Sequence, residues 1–239
     1  MAEAIEAVVF DWGGTLATHH DVDPAALWRT ALAGLPAATR EALLPALAAA
    51  ERRFWEAHRD TVGAHSGVID VLFAEACEVA AVTVTDVEAV FAALMATWEP
   101  YTRTEPDVAG TLAALRERGL RIGLLSNTFW RAAWHEGFLA RDGVLDLIDV
   151  RVYTSDLPCT KPHADAFAAV LDTLGTPPER AVMVGDRLFD DILGAGRLGM
   201  RTVHRDHPSV PTFWPAADVT PDATITRIGE LPAVLDRWL

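Results

Sequence analysis

The sequence predicts an α/β protein, a parallel sheet flanked by helices and interrupted by a helical insertion. Three observations carry this. Short apolar runs that end in polar residues recur along the chain, and amphipathic helical stretches separate them. Between about residues 25 and 95 only helical patterns occur. Strands alternating with helices imply a parallel sheet with right-handed crossovers.

The elements follow in order. Ala7 to Phe10 is four apolar residues, two of them β-branched, and reads as a buried strand. From Ala25 to Met95 the chain is rich in alanine and leucine at helical spacing (Ala42, Leu43, Leu44, Leu47, then Phe54 and Trp55), enough for roughly four helices. Asp107 to Arg118 reads as a helix closed by Gly119, and "LRIGLLSN" as a strand ending in polar residues. "DVRVYTS" is a short strand, Pro162 to Leu174 a helix ended by Gly175, and "AVMVGD" an apolar strand ending in Asp186. A helix near Asp191 to Leu198 and the segment "MRTVHR" follow. The tail after Arg205 adds a short strand, "ATIT", and a helix from Leu231 to Leu239. Because the helical stretch breaks the alternation right after the first strand, residues 18–104 read as an inserted cap. Residues 1–17 and 105–239 then form one core.

At 239 residues and 51% hydrophobic, the chain can bury a substantial core, which excludes disorder. No apolar run reaches the length of a membrane span, and the acidic start "MAEAIEAVVFDW" is not that of a secretory signal. Two cysteines, Cys77 and Cys159, are too few for a disulfide framework, so a reducing cytoplasm is expected. A formal net charge of −14 argues against general affinity for nucleic acid or an anionic membrane, and makes a local cluster of positive charge meaningful for an anionic substrate. Of the 20 basic residues only Lys161 is a lysine.

Ligands of parallel sheets bind beyond the carboxyl ends of the strands. Asp11, Ser126, Asn127 and Asp186 all lie at such ends. Asp11 opens "DWGGTL" and suits either a nucleophile or a ligand of a hard cation such as Mg²⁺. In "VGDRLFDDILGA", Asp186, Asp190 and Asp191 repel one another unless a cation offsets them, which favours a divalent metal site shared with Asp11. The other reading makes Asp190 and Asp191 dipole-stabilised residues of a helix start. Lys161, just before a helix beginning at Pro162, offers a point charge beside free N–H groups, a place for a phosphoryl oxygen. Ser126 and Asn127 add a hydroxyl and an amide.

In order, "DWGGTL", "LLSN", the "KP" of Lys161 and "GDRLFDD" resemble the four motifs of the haloacid dehalogenase superfamily, and the match runs the length of the chain. The resemblance implies a Rossmann-like core with a helical C1 cap. It implies that Asp11 attacks a phosphate monoester and forms an aspartyl-phosphate that water hydrolyses. Mg²⁺ would be held by Asp11, the backbone carbonyl of Gly13, Asp186 and Asp191, with Asp190 the alternative to Asp191. Thr15, Ser126, Asn127 and Lys161 would bind the phosphate, and Lys161 would also serve catalysis. The substrate would be a small phosphorylated metabolite, and the protein a monomer or homodimer.

The departure is Gly13, where phosphatases of the superfamily usually carry an aspartate that protonates the leaving group. That role typically contributes about 10²–10⁴-fold. Candidates to replace it are His19, His20, His58, Arg59 and His65. A catalytically impaired relative that binds Mg²⁺ and a phosphorylated ligand or a partner is the alternative. Two others rank lower. Phosphonoacetaldehyde hydrolases share a "DWAGT"-like motif but need a cap lysine, and this insertion has none. Haloacid dehalogenases lack the acidic residue at the place of Asp186. Trp28, Trp55 and Trp98 lie in the insertion, where they would line a substrate entrance or pack in its core.

Overall fold

The structure, a computed structural model, describes residues 4–20, 22–58, 68–207 and 217–239. Its centre is a six-stranded sheet in the order β3-β2-β1-β4-β5-β6, with every pair parallel. The strands are β1 (Ala7–Phe10), β2 (Arg121–Ser126), β3 (Val150–Tyr153), β4 (Ala181–Gly185), β5 (Arg201–Arg205) and β6 (Ala223–Ile225). Both faces of β1 are covered, and the residues alternate between them. Val8 and Phe10 join one apolar cluster, Ala7 and Val9 the other. This is why β1 reads as an unbroken apolar run and not as an alternation with polar residues.

Between β1 and the next long helix of the sheet layer lie α1 (Pro24–Ala31), α2 (Ala37–His58), α3 (Ile69–Val79) and α4 (Val87–Trp98), the four helices expected there. The chain leaves and re-enters the sheet layer side by side. Ala17 bridges Thr104 antiparallel, Glu105 N–H donates to Leu16 O at 2.9 Å, and Glu105 pairs with the buried Arg205 at 2.8 Å. The later helices are α5 (Val108–Glu117), α6 (Ala132–Arg141), α7 (Ala164–Leu174), α8 (Gly194–Arg197) and α9 (Leu231–Leu235).

Three boundaries differ from expectation. The helix predicted from Pro162 begins at Ala164, because His163 is extended and caps it, its Nδ1 accepting from Asp165 N–H at 3.2 Å. The helix predicted from Asp191 begins earlier, as a π-helical turn over Leu188–Leu193 that runs into α8. The last helix stops at Leu235, and the turns beyond it bring Trp238 under the Arg201 guanidinium, 4.9 Å from its ring centre.

Candidate active site

Strand order locates the site. The sequence proceeds from β1 to β2 on one side, whereas β4 pairs on the other, so the direction of winding reverses between β1 and β4. Beyond the carboxyl ends of two such strands a crevice opens. Asp11 follows β1 there, its N–H donating to Val184 O at 2.9 Å, and Asp186 follows β4. The parallel register sets Ser126 and Asp186 one step past the level of Asp11 on the two flanking strands.

Two glycines shape the turn after Asp11, and they are not equivalent. Gly14 has φ +85°, and a Cβ on it would overlap the Asp186 carboxylate, so only glycine fits. Gly13 has no such constraint, for a Cβ built there meets nothing within 4 Å. The missing side chain at residue 13 is therefore not a demand of the fold.

Among the described residues one cluster could hold a metal ion. Asp11, Asp186 and Asp191 each bring a carboxylate oxygen within 4.8 Å of the others, and all three are buried. Asp190, one residue earlier in the π-helical turn, faces Arg187 instead, at 3.3 Å. The two oxygens of Asp191 already have donors, Lys161 Nζ at 2.7 Å and Arg187 N–H at 3.0 Å. Those of Asp186 have none. Burial pushes the Asp191 carboxyl up to about 6 and that of Asp186 well above the usual carboxylate range. Lys161 and Arg187 supply two positive charges against four buried carboxylates once Asp190 is counted, so the ionised cluster carries an excess of negative charge before any anionic phosphate arrives. Oxygen-only donors, a deficit of positive charge and two orphaned carboxylate oxygens on Asp186 fit a hard divalent cation.

Lys161 is 1% exposed. Its Nζ donates to Asp11 Oδ1 and Asp191 Oδ1, each at 2.7 Å. Burial alone would lower its pKa, but the Asp11 and Asp191 carboxylates outweigh that and hold the ammonium above its ordinary range. Removing one partner of a buried ion pair costs about 3–5 kcal/mol, so variants of Lys161 test folding as much as chemistry.

Asn127 is half-buried and joined to the lysine: its Oδ1 accepts from Lys161 N–H at 2.8 Å and its Nδ2 donates to Lys161 O at 3.0 Å. These two bonds fix the backbone of Lys161. Thr15 is fully enclosed, with its hydroxyl unpartnered. Ser126 is buried at the end of β2.

Nothing in the local pattern singles out His135. It is buried on α6 with Nε2 on Thr128 Oγ1 at 3.0 Å and its ring 4.7 Å from that of Trp12. Burial pushes it down to about 3 although Asp11 opposes the shift, so it stays neutral and is no proton donor near pH 7. Of the groups considered to replace a carboxylate at residue 13, His19 and His20 line a cavity of about 650 Å³ that reaches Gly13. Trp28 and Trp98 line it too. The side chains of His58 and Trp55, and Arg59 and His65, lie outside the described residues. Arg131, next to Trp130 in the segment after β2, crosses to the inserted helices, donating to Asp70 on α3 and Glu88 on α4, each at 2.9 Å.

A cation titration checks the metal assignment. Mg²⁺ at a hundred times its Kd is expected to stabilise by about 2.7 kcal/mol, which raises the melting temperature by about 5–10 °C in a chain of this size. The gain should hold at pH 7.5 and shrink below about pH 6. The folded-state pKa values of Asp186 and Asp191 are raised, so the cation-free protein loses stability as pH rises through them, and at low pH the cation must displace protons. Scanning fluorimetry showing no Mg²⁺ shift at pH 7.5, or an equal shift in Asp186→Asn, would refute the assignment.

A family model described as haloacid dehalogenase-like hydrolase matches residues 5–199. A glyceraldehyde 3-phosphate phosphatase of Methanopyrus kandleri is 36% identical over 132 residues, covering 55% of this chain and 56% of the relative. The chain spans about half the length of the curated relatives it matches. Among solved structures, a 2-haloacid dehalogenase from Pseudomonas syringae superposes with TM-score 0.68 at 26% identity, over 98% of this chain and all of the other. A phosphatase from Thermococcus onnurineus gives 0.63 at 24% identity, over 97% of this chain and 98% of the other, which shows the shared fold.

Proposed function

This chain belongs to the haloacid dehalogenase-like hydrolases, and from that premise we propose that it is a Mg²⁺-dependent phosphatase of small phosphorylated metabolites. The observation that carries the reading is Asp11, held at the open end of β1 by the Lys161 ammonium beside the unpartnered carboxylate of Asp186. An Asp11 oxygen attacks phosphorus, the bond from phosphorus to the leaving oxygen breaks, and that oxygen takes up a proton. Water then attacks the aspartyl-phosphate, releasing inorganic phosphate and restoring Asp11. Lys161 and the Ser126 hydroxyl offset charge on the phosphoryl oxygens. Asp11, the Gly13 carbonyl, Asp186 and Asp191 would hold Mg²⁺, which supplies electrostatic stabilisation to the transferring group.

Residues 18–104 serve as the cap, which favours small substrates over proteins or nucleic acids. The name of the Methanopyrus relative, a phosphatase of a triose phosphate, supports the substrate class. The dehalogenase name of the Pseudomonas structure does not transfer, because Asp186 marks the metal-dependent members. With two free cysteines, a reducing cytoplasm is the compartment we assign.

One observation favours a second reading. Gly13 removes the usual acid, and a protein that binds Mg²⁺ and a phosphorylated ligand with little turnover is the alternative. Phosphate release from p-nitrophenyl phosphate and a panel of small esters separates them. Release that needs Mg²⁺ and stops with a chelator is expected of the phosphatase. Release at the buffer rate throughout would leave the binding protein.

A further inference from the structure

The run from Phe129 to Trp134, just past Ser126 and Asn127, carries four side chains into the inserted helices. Phe129 meets Phe54 of α2 with ring centres 5.4 Å apart, and Trp134 meets Phe91 of α4 at 5.6 Å. Trp130 lies between Trp98 of α4, at 5.0 Å, and Trp12, the residue after Asp11, at 6.2 Å. All four ring pairs cross edge to face, a geometry that aromatic pairs favour.

Arg131, inside this run, uses all three of its side-chain nitrogens. Nε donates to Asp70 Oδ2 at 2.9 Å and Nη2 to Asp70 Oδ1, on α3. Nη1 and Nη2 donate to the two oxygens of Glu88, on α4, at 2.9 and 2.7 Å. Its Cζ lies over the Phe91 and Trp134 rings, 4.9 and 5.4 Å from their centres. A planar fork paired to two carboxylates fixes direction as well as distance. The backbone closes the same contact. Ile69 is the first residue of α3, and helix starts leave their N–H groups without an intrahelical acceptor. The N-cap residue Val68 has no side-chain bond to give, and Ile69 N–H donates instead to Phe129 O at 2.6 Å.

We propose that Phe129 to Trp134 is a clasp, locked by Arg131, that holds α3 and α4 permanently against the carboxyl edge of the sheet. These helices then do not swing as a lid about the paired linkers at Ala17 and Thr104. They move with the loop that holds Lys161, because Asn127 bonds the lysine backbone only two residues before Phe129. Thr128, between them, is pinned as well, its N–H donating to Thr154 Oγ1 at 2.9 Å. The run therefore has no slack in which α3 could pull away. Opening would expose Phe129 and Trp130, both buried, and part the Arg131 guanidinium from its carboxylates.

Amide hydrogen exchange followed by nuclear magnetic resonance reads the clasp directly. Ile69 N–H is protected by its bond to Phe129 O, whereas Phe73 N–H, one turn on, is protected within α3. A lid that opens as a body exposes the first and leaves the second bonded. In the wild-type protein the two protection factors are expected to agree within about tenfold. Arg131→Met keeps an apolar stem against Phe91 and should lower the protection of Ile69 relative to Phe73 by about tenfold or more. Asp70→Asn combined with Glu88→Gln removes the same pairing from the other side and should do likewise. A wild-type Ile69 amide that exchanges faster than Phe73 by more than that margin overturns the clasp. A ratio unmoved by both sets of substitutions overturns Arg131 as its lock. Neither reading involves turnover, so the phosphatase stands or falls by its own assay.

Discussion

Asp11→Asn is expected to reduce Mg²⁺-dependent phosphate release to the buffer rate, a fall of about 10⁴-fold or more, the scale on which removing a covalent nucleophile acts. The substitution suits the purpose because it spares the fold. Lys161 Nζ keeps its bond to Asp191 Oδ1, and the amide oxygen introduced at residue 11 can still accept from it. One buried negative charge is lost in a cluster where carboxylates outnumber cations, so the melting temperature should change little or rise. The wild-type protein should also yield a phosphorylated species in quenched single-turnover samples, and the variant should yield none. Equal turnover in both proteins would rule out Asp11 as the nucleophile.

The second large effect runs in the opposite direction. Gly13→Asp should raise phosphatase turnover, by up to about 10²–10⁴-fold if acid–base catalysis is all that is missing. The geometry permits it. A Cβ at residue 13 has no neighbour within 4 Å, and its backbone is not in the left-handed region that would strain a side chain. The new carboxyl would border the cavity shared with His19 and His20. The added turnover should show an alkaline limb in its pH profile as the new acid deprotonates. An unchanged rate would mean that another group already donates the proton, and His19→Ala and His20→Ala on the wild-type background would then identify it. The neighbouring position cannot serve as a substitute, because Gly14→Asp would collide with Asp186.

Both predictions use residues that are legible in the sequence, and the reason is local. A run such as Ala7 to Phe10 is fixed as a buried strand by its own side chains, and the residue that follows a buried parallel strand must emerge at the carboxyl edge of the sheet. Asp11, Ser126 and Asp186 could therefore be assigned to one edge without knowledge of the strand order. The lone lysine stood out by composition, and Lys161 does reach Asp11. That the fold requires glycine at 14 and not at 13 could not be read from the letters, since the overlap that makes Gly14 obligatory comes from Asp186, far along the chain.

The chain's own pattern thus determined the α/β class, the helical interruption after β1 and the carboxylates that gather at the sheet edge, because periodicity and strand ends are short-range properties. Tertiary structure alone decided the rest. It turned Asp191 toward Asp11 and Asp190 toward Arg187, through a π-helical turn that helical periodicity does not anticipate. It bonded the Asn127 amide to the backbone of Lys161. It also buried His135 beside Trp12 and carried Arg131 across to Asp70 and Glu88. Each of these depends on a partner distant in sequence, or on a choice between neighbouring residues that local pattern leaves equal. Only the packed chain supplies the partner and breaks the tie.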